Sequence, residues 1–256
     1  MVLFAPLFAG LAFLTILPVP PRWCGESRNL ERSIVWFPLI GVLIGALIAG
    51  FAAGVAVLLP VLPASVLTVI AMVAISGALH LDGLADTADG FLSSRPKEQI
   101  LEIMRDSRVG PMGVLAIVGI LLLKVAAVAA LASLAPVVRF GTLVLMPLAG
   151  RMAPVLMMST LQYVRANGLG TAFQRKRSYF APLLALASPA VAGFLAAGAA
   201  GLAAATAAVA ATALFAFWCR AKIGGYTGDT LGAACELAEV VPALIVLMFA
   251  QRGWSA

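Results

Sequence analysis

The stretch VLPASVLTVIAMVAISGALHLDGLADTADG, residues 61–90, decides how this chain is read. Its first part is an apolar run long enough to cross a bilayer, and His80, Asp82, Asp86 and Asp89 follow directly behind it. The whole chain has 11 acidic residues, so three within eight positions is a concentration and not scatter. On a helix these aspartates stand at i, i+4 and i+7 and project from one face. Like charges held so close in a low-dielectric setting repel strongly. A bound divalent cation resolves that conflict, and hard carboxylate oxygens suit Mg²⁺ or Ca²⁺. The stretch therefore predicts a metal site at a membrane surface.

Outward from it, the composition agrees. The chain of 256 residues is 62% hydrophobic and 11% charged, with a mean hydropathy of +1.06. Those values exclude an ordinary soluble domain. Apolar stretches near the ~20 residues that span a bilayer recur at 34–59, 62–81, 110–134, 136–158, 181–200, 201–219 and 231–250. The first segment, Leu3 to Leu17, is shorter and ends at Pro18-Val-Pro20-Pro21, so a short span, a re-entrant piece and an interfacial helix all fit it. No Lys or Arg precedes it, which argues against a cleaved signal peptide. Backbone groups in lipid need partners within the segment. The expected fold is an all-α polytopic helical bundle of six to eight transmembrane helices with cytoplasmic polar loops, forming one catalytic domain over 1–256.

The net charge of +6 does not indicate nucleic acid, because the positive charges are sorted by loop. Of 17 Lys and Arg, three fall in 18–33, four in 82–109, four in 159–180 and two in 219–230. The connections near Pro60, Ala135 and Ala200 carry none. This is the positive-inside pattern, and it places all four polar loops in the cytoplasm. Cys24, Cys219 and Cys235 lack metal-ligand spacing and are expected as free thiols. Trp36, Trp218 and Trp254 read as interface anchors.

Ionisable residues at membrane depth are functional candidates because their burial is costly. They form three islands. The first continues from the aspartates through Arg95 and Lys97 to Arg105-Asp106-Ser107-Arg108, with Gly110-Pro-Met-Gly113 turning the chain back into the bilayer. Ile100, Leu101, Ile103 and Met104 give its connector an apolar stripe, which predicts a helix lying on the membrane. The second is Gly224-Gly225-Tyr226-Thr227-Gly228-Asp229-Thr230, followed by Glu236 and Glu239. Its glycines allow backbone N–H groups to approach an anion, and its threonines add hydroxyls. The third is Arg151 within a span, with Arg175-Lys176-Arg177 in the next loop as an anionic-lipid contact. Carboxylates for a metal, several cations and a Gly/Thr loop on one membrane face are equipment for phosphoryl or nucleotidyl transfer.

The runs HLDGLADTADGFLSS (80–94), EIMRDSRVGPMG (102–113) and GGYTGDTLGAACELAE (224–239) resemble the cobalamin synthase family, the adenosylcobinamide-GDP ribazoletransferases. Phe13-Leu14-Thr15, Pro18-Val-Pro20 and Trp36-Phe37-Pro38 extend the likeness over almost the whole chain. The resemblance implies a multi-pass enzyme of the bacterial inner membrane whose active site faces the cytoplasm. It would join adenosylcobinamide-GDP to α-ribazole or its 5′-phosphate and release GMP, using Mg²⁺. Carried onto these residues, Asp82, Asp86, Asp89 and Asp106 would hold the metal. Asp86 or Asp89 would be the base, and Arg105, Arg108 or Arg151 would neutralise phosphate charge. His80, Gly224, Gly225, Thr227, Gly228, Asp229 and Glu236 would contact substrate. The implied partners are the two substrates and the lipid bilayer, with no nucleic acid. A homo-oligomer or contact with other enzymes of cobalamin synthesis is compatible with the chain, though no segment identifies either. The rival readings are a CDP-alcohol phosphotransferase-like enzyme, an aspartate-rich prenyltransferase and, further off, a transporter. A prenyltransferase would show a second acidic cluster where this chain has Asp229 among Gly and Thr, and a transporter would place its charges near the midplane.

Overall fold

The structure is a computed structural model, and it describes residues 4–26, 28–165, 173 and 179–253. Among these, regular structure is helical except for one parallel bridge between Tyr163 and Tyr226. The helices are α1 (Ala5–Leu14), α2 (Pro21–Cys24), α3 (Arg28–Arg32), α4 (Phe37–Leu58), α5 (Val61–Ile75), α6 (Leu79–Phe91), α7 (Lys97–Ile103), α8 (Pro111–Leu131), α9 (Pro136–Thr160), α10 (Phe180–Ile223) and α11 (Gly228–Gln251). Five helical stretches are long and apolar enough to cross a bilayer, and the bent pair of α5 and α6 makes a sixth. The chain is therefore a multi-pass membrane protein of the all-α class. Proline opens α8 and α9, where a missing N–H costs nothing because the first turn has no intrahelical partner for it.

Helix α9 is the axis of the bundle, with 78% of its most apolar window buried. It is reached by small residues. Gly41 of α4 lies on the Leu148 backbone and Gly45 on that of Val144, so a Cβ at either would overlap main chain. Gly141 meets Ala196 of α10, and Gly150 meets Cys235 of α11. Lipid tails are as apolar as leucine, so close backbone contact of this kind, and not hydrophobic burial, holds such helices together.

Helix α10 is a hairpin. Its 44 residues are broken by non-helical backbone at Ala197 and Gly198. Gly193 and Gly201 touch across the break, so closely that a Cβ on Gly201 would overlap the Gly193 carbonyl. Eight residues of straight helix would separate them by ~12 Å. The two spans expected at 181–200 and 201–219 thus meet slightly before their expected join.

Two expectations are corrected. The run 62–81 is not one straight helix, because α6 leaves α5 at 88°. Gly77 and Ala78 make the bend with φ of 59° and 61°, and the Ile16 N–H seals it by donating to the Ile75 carbonyl at 2.9 Å. The stripe on α7 faces protein and not lipid alone, since Ile100 and Met104 bury against Gly90 of α6. At the start of the chain, α1 is too short to cross a bilayer as one straight span. Its ten residues reach only ~15 Å, half the hydrocarbon thickness, and it packs beside α2, α3 and α4.

The contacts below gather α6, the residues after α9 and the loop before α11 at one end of the bundle. The connections at 59–60, 132–135 and 197–198 lie at the other.

Candidate active site

Helix α6 meets α11 at backbone distance. A Cβ on Gly83 would stand 2.6 Å from the Asp229 carbonyl oxygen, and one on Gly232 would stand 3.1 Å from His80 Cα. Glycine at these two positions lets the aspartate helix settle onto the first turn of α11. Asp82 and Asp86 then share one electrostatic environment with Asp229. Asp86 is half-buried on α6, close enough to Asp82 and Asp229 to feel both charges.

The loop before α11 is built for this contact. Gly224, at φ 81°, ends α10 in the left-handed conformation, with its N–H donating to the Arg220 carbonyl at 3.0 Å. Gly225 lies so close to the Gln162 carbonyl that no side chain fits. The Tyr226 N–H donates to Gln162 and the Val164 N–H to Tyr226, at 2.9 and 3.0 Å, tying the loop to the chain after α9. Thr227 caps α11 in a reciprocal box with Thr230: the Thr227 N–H donates to Thr230 Oγ1 at 2.9 Å, and the Thr230 N–H to Thr227 Oγ1 at 3.3 Å. Gly224, Gly225 and Thr227, expected as substrate contacts, are thus engaged in placing Asp229. Gly228 is exposed with open space around it.

Among the described residues, Arg165 is the cation paired with this site. Its Nη2 lies 2.7 Å from Asp229 Oδ2 and donates to the Met104 carbonyl at 3.2 Å, while its buried Nε has no hydrogen-bond partner among the described residues. Sequence reasoning passed over it because it stands in an unremarkable loop. Its neighbours Arg175, Lys176 and Arg177 lie outside the described residues, as does Trp254.

The expected four-carboxylate metal set is not assembled. Among the described residues no three His, Cys, Asp or Glu side chains are close enough to enclose a metal. Asp89 is turned away to α8, where its two oxygens accept from the Gly110 N–H at 2.7 Å and the Gly113 N–H at 2.8 Å. Gly110 is the N-cap of α8 and has no side chain to do this itself, so the carboxylate comes from a neighbouring helix and meets the positive end of the dipole. Asp106 pairs with Arg108 at 2.6 Å on an open surface, and the Arg108 hydrogen bonds hold its carboxyl near 2. Arg105 is exposed beside them. What remains is Asp82, Asp86 and Asp229. They do not enclose a metal by themselves, so Mg²⁺ could be held here only by one or two of them together with substrate phosphates and waters.

Deeper in the bundle, Arg151 and Glu236 belong to a buried quartet and not to the open site. Lys124 Nζ lies 2.7 Å from Glu236 Oε2 and 3.2 Å from Glu239 Oε1, and Arg151 pairs with Glu239. All four side chains are at most 5% exposed. Two cations and two anions sum to zero, which is how charge survives in lipid. Lys124 was missed, yet a lone lysine in the middle of an apolar span, two helices from a lone glutamate pair, is a readable signal. His80 is buried between the quartet and the open site.

Next to Asp82, Asp229 and His80 lies a cavity of ≈ 130 Å³ whose remaining walls are apolar and aromatic.

The family model described as "Cobalamin-5-phosphate synthase" matches residues 6–248. Among curated relatives, the "Adenosylcobinamide-GDP ribazoletransferase" of Roseiflexus sp. (strain RS-1) is 40% identical over 242 residues, covering 93% of this chain and 87% of the relative. The protein of the same name from Citrobacter koseri is 39% identical over 243 residues, covering 94% and 98%. That from Geotalea daltonii is 34% identical over 234 residues, covering 91% and 93%. No solved structure matches the chain.

Proposed function

The chain belongs to the cobalamin-5-phosphate synthase family, and on that premise we propose that it joins adenosylcobinamide-GDP to α-ribazole, or to α-ribazole 5′-phosphate, with release of GMP. The supporting observation is the meeting of Asp82 and Asp86 with Asp229 and Arg165 at one end of a membrane bundle. In this reaction a ribose hydroxyl of the acceptor, one that a 5′-phosphate does not occupy, attacks the phosphorus that carries the cobinamide. The new P–O bond forms as the bond to GMP breaks, and the hydroxyl proton leaves to a base.

Asp86 is the base favoured here. It is partly exposed at the open end of the bundle, beside Asp82 and Asp229, where an acceptor hydroxyl can reach it. Asp89, the other candidate, has both oxygens taken by α8. Arg165 supplies positive charge beside the diphosphate, with Asp229 orienting its guanidinium. Asp82 and Asp229, together with the diphosphate oxygens, would hold Mg²⁺, which when bound supplies charge neutralisation on those oxygens. The Lys- and Arg-rich loops support a cytoplasmic position for this end of the bundle in a bacterial inner membrane, where both water-soluble substrates reach it.

GMP release by purified protein in liposomes, with adenosylcobinamide-GDP and α-ribazole and with or without Mg²⁺, tests the proposal. Turnover is expected to require acceptor and metal and to be lost in Asp86→Asn. A folded wild type that releases no GMP with ribazole or its phosphate overturns it.

A further inference from the structure

The cavity beside Asp82 and Asp229 has a character that the open site does not share. Phe13 of the N-terminal segment, Phe37 at the start of α4 and Phe173 of the α9–α10 connection meet along one wall. Phe173 stands edge-on to both others, with centroids 5.6 Å from Phe13 and 6.1 Å from Phe37. Pro154, Met158 and Leu231 complete the apolar lining. The polar part is confined to His80, Asp82 and Asp229. On the same measure a water molecule needs ~10–15 Å³, so ≈ 130 Å³ has room for about ten heavy atoms. That is the scale of one fused bicyclic ring.

We infer that this cavity binds the benzimidazole base of the acceptor nucleoside, with Asp82 and Asp229 accepting hydrogen bonds from the ribose hydroxyls. The assignment rests on the transferase reading above and names a subsite within it.

Three chemical arguments select this occupant from the pieces of the two substrates. A corrin ring is far too large. Guanine carries polar atoms around most of its edge, and the Phe, Met, Leu and Pro walls would leave them unpaired, at a cost of a few kcal/mol for each buried group. A benzimidazole ring has an apolar perimeter and a π-face that aromatic walls accept edge-on or offset. The polar mouth discriminates as well. Carboxylates only accept hydrogen bonds when ionised, so Asp82 and Asp229 offer acceptors to the sugar hydroxyls. A base seated here leaves its ribose at Asp82, one helical turn from Asp86. The reacting hydroxyl is thereby delivered to the proposed base, and a 5′-phosphate, where present, must point outward past Arg165.

The test uses the full chain in nanodiscs with two opposed variants, Leu231→Phe to fill the cavity and Phe13→Ala to remove one ring. Steady-state turnover is measured with each substrate varied, and the intrinsic fluorescence of α-ribazole reports direct binding without donor, with guanosine as competitor. Both variants are expected to raise the KM for α-ribazole on the order of tenfold, the usual effect of a misfit in an apolar pocket. The KM for adenosylcobinamide-GDP should stay unchanged, and guanosine should not displace ribazole. An unchanged acceptor KM in both variants overturns the subsite while leaving the transferase reading intact, and so does a rise confined to the donor. If wild type binds ribazole but releases no GMP, and Leu231→Phe abolishes that binding, the transferase reading falls and the subsite stands. Absence of ribazole binding to wild type overturns the subsite outright.

Discussion

Asp86 and Asp89 stand three residues apart on one helical face, yet their surroundings give them opposite duties. Asp89 accepts two backbone N–H groups that have no other partner. Asp89→Ala is expected to lower stability by about 1–3 kcal/mol, the range for a charge-assisted hydrogen bond lost at a buried donor, read as a fall in thermal midpoint. Asp86→Asn should leave the fold intact and reduce turnover by ~10²–10⁴-fold, the share a general base contributes. Spacing alone placed Asp82 and Asp86 correctly on α6. It could not show Asp89 leaving the set, because the groups that claim it lie 21 and 24 residues further on.

Among the helices, the telling contact is the quartet joining α8, α9 and α11. Lys124 has no exposed route to water, so removing its charge leaves two glutamates facing one arginine. Lys124→Met is expected to cost about 3–5 kcal/mol, the range for orphaning a buried ion partner. The pair Lys124→Met with Glu236→Met should recover most of that loss, since the remaining Arg151–Glu239 pair is neutral. A double variant no more stable than the single one, by detergent-resistant thermal unfolding, would count against pairing as the reason these residues are tolerated. Hydropathy found the spans but not this cross-link. Glu236 was read as a substrate contact because an acidic residue near a Gly/Thr loop suggests chemistry, and only tertiary packing reveals that Lys124, 112 positions earlier, neutralises it. The α5–α6 bend was equally hidden. A single apolar run gives no hint that Gly77 and Ala78 adopt positive φ. The reversal at Ala197 and Gly198 was legible to within a few residues, because two spans' worth of apolar chain had to turn somewhere.

For the whole molecule, the sorting of charge and the packing of loops group the same segments at one end of the bundle by independent routes. The bridge of Tyr163 to Tyr226, the Arg165–Asp229 pair and the capping of α8 by Asp89 join four segments at one end. Those segments carry most of the Lys and Arg, whereas the turns at 59–60, 132–135 and 197–198 carry none. Cysteine labelling turns this into a measurement. Cys219 and Cys235 are buried and only Cys24 is partly open, so Cys24→Ser gives a quiet background without disturbing the core. Ser94 and Ser133 are both exposed, the first after α6 and the second after α8. In right-side-out vesicles a membrane-impermeant maleimide should label Ser133→Cys and spare Ser94→Cys, and inverted vesicles should reverse the pattern. Labelling of both positions from one face would break the alternation of spans. A clean but opposite pattern would keep the bundle and move its carboxylate end out of the cytoplasm, away from any supply of nucleotide-activated donor.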